Sequence, residues 1–227
     1  MTRQALRREN RINAILESAV AAFRRHGYHG TTMEQIAESL LMTKGSLYYY
    51  FHNKEEILFA VHDQALDRIL AELSRVKKTK SCACDQLEDL IAAHIRIMVE
   101  GFHGTALALE FGALSPRRLS RIVAKRDRYE HALRNLIDEG GRQGCFRKLD
   151  PKMAGLALLG AINWIAKWYH PDGPAGAKDV AGHFLGIVMG GMLPRGAAWE
   201  KNHQRYRYTV ERAAPTSGAA EPARRQA

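Results

Sequence analysis

Apolar residues recur every three or four positions along almost the whole chain, which is the spacing of one face of an α-helix. The first two stripes are Ile12, Ile15, Leu16, Ala19 and Phe23, then Met33, Ile36, Ala37 and Leu40. Further stripes predict helices that begin near residues 54, 85, 116, 151 and 179. No segment alternates apolar and polar residues as a strand does, so the sequence predicts an all-α fold.

Residues that favour helix N-termini precede most of these stripes. A capping side chain accepts a hydrogen bond from a free backbone N–H group, and a first-turn proline has no N–H group to satisfy. Such signals are the pairs Thr31 with Glu34 and Asn53 with Glu56, the single residue Thr43, and the dipeptides Ser115-Pro116 and Asp150-Pro151. They predict a short helix over 44–50 and sharp starts for the longer helices that follow.

The first 54 residues contain two helices, a tight turn at Leu41-Met42 and a short third helix. This is the helix-turn-helix arrangement, in which the second helix of the motif enters a DNA major groove. On the short helix, Leu47 faces the core, whereas Lys44 and Tyr49 face outward toward base edges. Residues 1–54 carry eight Lys/Arg and four Asp/Glu, a net charge of +4 that favours a polyanionic partner.

The stretch TTMEQIAESLLMTKGSLYYYFHNKEEIL, residues 31–58, resembles the DNA-binding signature of the TetR family of transcriptional regulators. The family usually has glycine in the turn where this chain has Leu41, so we expect a strained left-handed residue or a different turn. The resemblance implies groove-facing Lys44, Gly45, Ser46 and Tyr49, and phosphate-contacting Thr32, Thr43, Tyr48, Tyr50 and Lys54.

The family resemblance also implies a DNA-binding domain over 1–54 and a helical effector-binding and dimerisation domain over 55–199. Residues 200–227 lack an apolar stripe and are rich in Ala, Pro, Gly and Arg, so we expect a disordered tail there. The last two long helices carry rows of small residues, such as Gly160 and Gly190, which permit close helix packing. We expect a homodimer through these two helices on a near-palindromic double-stranded operator, although packing within one subunit would use the same residues.

Residues 85–170 would hold a small-molecule effector. The segments LALEFGALSP and AINWIAKWYHPDGP are similar to the TetR branch that controls fatty-acid and steroid catabolism and responds to acyl-CoA thioesters. Basic side chains would bind phosphates and tryptophans would stack on the adenine, although a solvated basic face and core tryptophans fit the same pattern. The candidate effector residues are Glu110, Arg121, Lys125, Trp164, Lys167 and Trp168.

Other classes of function have less support. A multidrug-type sensor that represses an efflux gene would use buried carboxylates such as Glu110 among aromatics, which are sparse here. An architectural DNA-binding protein would have no use for a large apolar body. The chain has no phosphate-binding loop or hydrolase motif, so we expect neither an enzyme nor a cofactor or metal. No apolar run is long enough to cross a membrane, so we expect a cytoplasmic protein.

The chain has three cysteines, an odd and low count that does not suggest a disulfide framework. Cys82 and Cys84 lie in the polar stretch KKTKSCACDQ. They fit an interhelical loop better than a metal or redox site.

Overall fold

The structure, a computed structural model, describes residues 2–79, 81–99, 111–170, 173–194, 197–200 and 207–210. These residues are almost entirely helical, which confirms the all-α expectation. None of the helices described is both long and apolar enough to span a membrane. The helices are α1 (Arg3–Gly30), α2 (Met33–Ser39), α3 (Lys44–Tyr50), α4 (Lys54–Lys77), α5 (Ala83–Val99), α6 (Pro116–Arg142), α7 (Pro151–Trp168) and α8 (Ala177–Met192).

Two short strands follow the last helix, β1 (Ala197–Glu200) and β2 (Arg207–Val210). They pair in antiparallel register, with Ala197 opposite Val210. This pairing differs from the sequence analysis, which predicted no strand and placed residues 207–210 in a disordered tail. The β2 sequence RYTV is rich in aromatic and β-branched residues, which favour strands. The remainder of the predicted tail, after residue 210, lies outside the described residues.

Most helix starts lie where the capping signals predicted. The side chains of Thr43, Asn53 and Asp150 each accept a backbone N–H from the first turn of the following helix. Pro116 begins α6 as expected, but the Ser115 hydroxyl makes no capping bond. Instead, the Ser115 backbone N–H donates to Glu55 Oε1 at 2.8 Å, which connects the start of α6 to the start of α4.

The capping box at α2 lies one residue later than predicted. Thr32 Oγ1 accepts the Gln35 N–H at 3.2 Å, and Gln35 Oε1 accepts the Thr32 N–H at 2.8 Å. Thr31, the expected cap, is buried and donates its hydroxyl to the Gly27 carbonyl at 2.8 Å. It therefore closes the end of α1, where Gly27 leaves helical geometry with φ of 72°.

Two hydrophobic cores lie side by side, and α4 contributes to both. The first joins α1, α2 and α3 to the start of α4, with Leu16, Ile36 and Leu47 at its centre, and it also takes in Ile122 of α6. The second lies among the end of α4 and α5, α6, α7 and α8. A displacement of α4 would therefore disturb packing in both cores, which is the requirement for coupling between them.

A disulfide joins Cys84, in the first turn of α5, to Cys145, in the turn after α6. The sequence analysis expected no disulfide and placed both Cys82 and Cys84 in a loop, which was wrong for Cys84. The error arose because α5 begins at Ala83, two residues earlier than the apolar spacing indicated. The partner cysteine is 61 residues away, a separation that local sequence patterns do not resolve.

Candidate nucleic-acid interface and effector site

The short helix α3 presents one buried anchor and an open polar face. Leu47 is 1% exposed, whereas Tyr49 is 75% exposed. At Gly45, no atom lies within 4 Å of the place that a Cβ atom would occupy, so the surface beside it is open to a partner. The Thr43 side chain accepts the Ser46 N–H at 3.2 Å and fixes the start of the helix. Lys44 pairs with Glu34 of α2, and this pair holds the two helices of the motif together.

The turn between α2 and α3 is left-handed at Leu41. Its φ is 52°, and among the described residues it is the only non-glycine with a positive φ. Its side chain is 98% exposed. The backbone N–H of Leu41 donates to Glu38 at 3.0 Å, and that of Met42 donates to Ala37 at 2.9 Å. The turn thus keeps the geometry for which glycine is suited, at a conformational cost of roughly 1 kcal/mol.

An open basic groove of about 540 Å³ lies between the start of α1 and α3. Three arginines of α1 and two tyrosines of α3 face it, and none of its lining residues is acidic. Guanidinium and phenol groups donate hydrogen bonds, so this groove matches the phosphate backbone beside an inserted helix. The lining residues are Gln4, Arg7, Arg8, Asn10, Arg11, Ala14, Tyr49 and Tyr50.

Lys54 has a different environment from that expected of a phosphate contact. Its ammonium donates to the backbone carbonyls of Tyr28 and Thr31 at 2.6 and 2.7 Å, and of His29 at 3.3 Å. It also lies 4.5 Å from the Tyr28 ring centroid. Burial lowers the pKa of Lys54 from its ordinary value. The N–H groups of the Lys54 ammonium are thus directed at the end of α1 and the segment that follows it, and they fix the start of α4 to that segment.

Comparisons with known proteins agree with this geometry. A family model described as bacterial regulatory proteins of the tetR family matches residues 15–61. Another, described as a tetracyclin repressor-like C-terminal domain, matches residues 81–192. The solved structure of the TetR family transcriptional regulator PfmR from Thermus thermophilus is 34% identical, has a TM-score of 0.71, and aligns over 79% of this chain and 99% of its own. The chain belongs to the TetR family.

Two further relatives of this TetR regulator bear on its effector. The HTH-type transcriptional repressor KstR2 of Mycobacterium tuberculosis strain H37Rv is 27% identical over 201 residues, 86% of this chain and all of its own. The solved structure of AibR in complex with isovaleryl coenzyme A and operator DNA is 29% identical, with a TM-score of 0.70 over 79% of this chain and 98% of its own. The chain is therefore a helix-turn-helix DNA-binding protein of the TetR family of transcriptional repressors.

The structure does not gather the predicted effector residues in one place. Lys125 of α6 binds Asp63 and Asp67 of α4 at 2.5 and 2.6 Å. Burial acts to lower the pKa of Lys125, but the hydrogen bonds that its ammonium donates to these two carboxylates outweigh burial and raise the pKa overall. The Arg121 guanidinium lies 4.7 Å from the Phe59 ring centroid. Both cations are thus partnered by α4, and Glu110 lies outside the described residues.

The tryptophans predicted for the effector lie on the outside of α7. Trp164 is 64% exposed and Trp168 is 42% exposed, with Lys167 exposed between them. Trp168 stacks on Phe184 of α8 with ring centroids 6.5 Å apart, and Ile187 of α8 is 77% exposed. A subunit interface covers exposed apolar side chains of this kind in many oligomers.

A cavity of about 60 Å³, partly open to solvent beside the exposed Arg126, lies where α4, α5, α6 and α7 meet. His94 and Tyr129 are buried there, and His94 Nδ1 is 3.1 Å from the Tyr129 hydroxyl. Among the described residues, His94 Nε2 has no hydrogen-bond partner, which marks a polar position available to a ligand or water. Burial lowers the pKa of His94 to about 4, so its imidazole is neutral. The lining residues are Leu66, Ile69, His94, Arg126, Tyr129, Leu159 and Asn163.

The sequence analysis missed this cavity, although its polar members had a local signal. His94 lies on the apolar face of α5, beside Ile91 and Ile95, and Asn163 lies in the otherwise apolar α7. Polar residues on a buried face require a partner, so each was a candidate for a site or a buried network. The sequence alone did not show that the two positions face each other.

A second buried histidine connects α4 to the residues that precede α6. His62 is 1% exposed and lies edge-on to Phe111, with ring centroids 5.8 Å apart. Arg126, which also lines the cavity, lies 4.6 Å from the same phenylalanine ring. Burial, with a smaller contribution from Arg126, lowers the pKa of His62 to about 4. The cavity wall and α4 therefore share Phe111 as a common contact.

Proposed function

We propose that this protein is a homodimeric repressor that binds a near-palindromic operator and leaves it when an acyl-CoA thioester binds the helical body. The exposed face of α3 beside the arginine-lined groove of α1 carries the proposal. Since bacterial operator DNA is in the cytoplasm, we expect the protein to act there.

DNA contact divides into base readout and backbone contact. Tyr49, Lys44 and Ser46 lie on the open face of α3, where side chains reach base edges in the major groove. Gly45 allows the helix to approach closely. The exposed hydroxyls of Thr32 and Tyr48, together with Thr43, Tyr50 and the α1 arginines, would contact phosphates on either side. Lys54, held by carbonyl groups, would position the motif and add positive charge at longer range.

The proposed dimer interface uses α7 and α8. Their exposed apolar side chains include Leu156, Met153 and Ile187, and additional atoms would have space around Gly160 and Gly190. Gly155 lies against its own subunit, where a Cβ atom would make an ordinary contact with Arg134 at 3.6 Å. The small residues proposed for the interface are therefore Gly160 and Gly190, and not Gly155. A two-fold axis between these helices would set two α3 helices on one face of the DNA.

Similarity to KstR2 and to the AibR complex supports an acyl-CoA effector. A cavity of about 60 Å³ holds only a few waters, at roughly 10–15 Å³ each. An acyl chain would have to separate the helices around it, and Leu66 and Ile69 of α4 form part of the wall. A ligand that needs the enlarged cavity binds the conformation with a displaced α4 more tightly than the conformation without the displacement. This difference in affinity shifts the equilibrium between the two conformations.

The multidrug alternative receives no comparable support from the described residues. Its cationic ligands would need a buried ionised carboxylate, and Glu88 of α5 is the buried acid among the described residues, which do not include Glu110. Burial, then the charges of Asp85 and Asp89, raise the pKa of Glu88 to about 8. Its carboxyl group is therefore mostly protonated at neutral pH and would not attract a cation.

Two experiments test the proposal in separate parts. Selection from random duplex DNA should yield an inverted repeat with half-sites about one helical turn apart. A consensus with a single half-site, or no consensus at all, would contradict the dimeric arrangement.

Thermal denaturation with acyl-CoA esters, coenzyme A, free acids and cationic dyes tests the effector, since a ligand at 100 times its Kd adds about 2.7 kcal/mol to the unfolding free energy. Stabilisation by dyes alone would contradict the acyl-CoA assignment and leave the DNA result intact.

A further inference from the structure

Three cysteine side chains meet where α5 begins and the turn after α6 ends. The Sγ atoms of Cys82, Cys84 and Cys145 all lie within 4.8 Å of one another, and we refer to them as the cysteine cluster. Cys84 and Cys145 form the disulfide, with Cα atoms 6.3 Å apart. These three are all the cysteines of the chain. Two sulfurs are thus bonded and the third is close enough to exchange with them.

The three cysteines differ in their access to solvent. Cys84 is 1% exposed and Cys145 is 8% exposed, so dissolved thiols and oxidants have little access to either sulfur. Cys82 is a free cysteine of intermediate exposure. Its sulfur accepts the Asp85 backbone N–H at 3.5 Å, which orients it at the first turn of α5. Cys82 therefore lies between solvent and the buried pair.

Hydrogen bonds hold both arms of the cluster independently of the sulfur–sulfur bond. Gln86 Nε2 donates to the carbonyls of Thr79 and Ser81 at 3.2 and 3.1 Å, which orders the segment before Cys82. The Ala83 N–H donates to Gln143 Oε1 at 3.0 Å, which joins α5 to the turn after α6. The reduced thiols would consequently remain close together, as reversible disulfide formation requires.

Where DNA-binding regulators act, the compartment is usually reducing, and disulfides there are commonly transient or redox-sensing. We propose that the cysteine cluster is a thiol–disulfide relay for hydroperoxides, with Cys82 as the entry thiol and the Cys84–Cys145 disulfide as the buried product. This inference is independent of the operator and of the acyl-CoA effector.

The relay consists of three balanced steps. Cys82 thiol reacts with hydrogen peroxide to give a sulfenic acid and one water. The thiol of Cys84 attacks that sulfenic sulfur, forms the Cys82–Cys84 disulfide and releases a second water. The Cys145 thiolate then attacks Cys84 Sγ, which forms the Cys84–Cys145 disulfide and returns Cys82 as a thiol. The sum is two thiols and one peroxide converted to one disulfide and two waters.

The test is a time course on the fully reduced, full-length protein treated with hydrogen peroxide, stopped with an alkylating agent and mapped by peptide mass spectrometry. We expect the Cys84–Cys145 linkage to accumulate while Cys82 ends as an alkylated thiol. Cys82→Ser should form the same linkage at least ten-fold more slowly. Cys145→Ala should stop at the Cys82–Cys84 linkage. Cys82→Ala serves as the second variant, and melting curves of all reduced variants check that each is folded.

Three outcomes would overturn the relay. The first is an unchanged oxidation rate in both Cys82 variants, which would show that the buried pair is oxidised directly. The second is a linkage other than Cys84–Cys145 at the end of the wild-type reaction. The third is a stoichiometric thiophilic metal in the protein as purified, measured by elemental analysis, because three thiolates held by a metal would be a metal site instead.

Discussion

The DNA-facing unit of this protein (α1, α2, α3 and the start of α4) and its effector body (the end of α4 with α5 to α8) are organised in opposite ways. In the first, functional side chains lie close together in sequence, on the exposed faces of α1 and α3, and the buried residues behind them are only anchors. In the second, the chemistry is buried, and the cavity is lined by residues from four helices spread from Leu66 to Asn163. Both α4 and α6 contribute to the two cores, and α4 does so with its first half packed against α1 and its second half against α5.

This difference explains how each unit can change in function. An exposed reading face can accept new side chains with little effect on stability, because few neighbours depend on them. A small cavity between packed helices cannot change volume without moving its walls. In the proposed function, effector binding would therefore be a mechanical event at α4, whereas DNA recognition would depend on surface chemistry.

The largest expected effect is in the body, at Glu88. Its folded pKa of about 8 lies above the ordinary value of 4.5, so its stabilising contribution is complete below pH 4.5 and is lost as pH rises through 8. The Glu88 contribution to the unfolding free energy should fall by roughly 1.4 kcal/mol per pH unit near pH 6.5 and by about half that at pH 8. Urea titrations at fixed protein concentration measure this slope.

Glu88→Gln is the matched variant for this slope and should flatten it. His62 and His94, with folded pKa values of about 4, add an opposite slope that fades as pH rises above 6.5 and is the same in both proteins, so the comparison with the variant isolates Glu88. Equal slopes in Glu88→Gln and the parent protein would show that the carboxyl group is not buried as described.

The next effect concerns the exposed face of α3. Tyr49→Ala should weaken binding to the selected operator by about 1–2 kcal/mol and relax preference at one or two base pairs, while unfolding free energy stays within roughly 0.5 kcal/mol. Tyr49→Phe separates the hydroxyl group from the ring. If Tyr49→Ala has the same operator affinity and the same base-pair preference as the parent protein, Tyr49 takes no part in base readout.

Recognition of the DNA-facing unit from sequence succeeded because its rules are local. Apolar spacing and the caps Thr43 and Asn53 determine where α3 and α4 begin and which face is buried. The resemblance to the TetR signature indicated the left-handed position of Leu41, because glycine is usual there.

The effector cavity was missed because its contacts are distant in sequence. His94 and Asn163 lie on different helices and meet only through helix packing. Lys125 appeared to be a free cation because its partners Asp63 and Asp67 lie on another helix. Neither arrangement follows from apolar spacing, which fixes the buried face of one helix but not its neighbours.

The junction between the two units gives a smaller effect, at Lys54. Lys54→Ala leaves carbonyls of Tyr28 and Thr31 without their donor and should cost about 1–2 kcal/mol of stability. It should change the salt dependence of operator binding little. Arg11→Ala is the comparison variant and should lower the salt slope by about 1.8, which is about 0.9 for one phosphate contact in each of the two subunits. The reverse pattern would make Lys54 the phosphate contact and Arg11 a bystander.

The smallest effect is expected in the turn. Leu41→Gly removes the strain of a left-handed leucine but adds freedom to the unfolded chain, so the net gain in stability should be about 0.5 kcal/mol. Leu41→Val, which tolerates a positive φ poorly, should destabilise the protein. Chemical denaturation measures both. A loss of stability in Leu41→Gly would mean that the exposed leucine side chain has a contact partner.

The most direct measurement of the central claim is reciprocal coupling between operator and effector through α4. Fluorescence anisotropy gives the operator Kd with and without saturating acyl-CoA ester, and calorimetry gives the ester Kd with and without operator, at one salt concentration. We predict that both Kd values rise by the same factor, roughly 5- to 150-fold for about 1–3 kcal/mol. Leu159→Trp, which fills the cavity, should keep operator binding and lose the response. An operator Kd that stays constant as the ester saturates the protein would contradict the account.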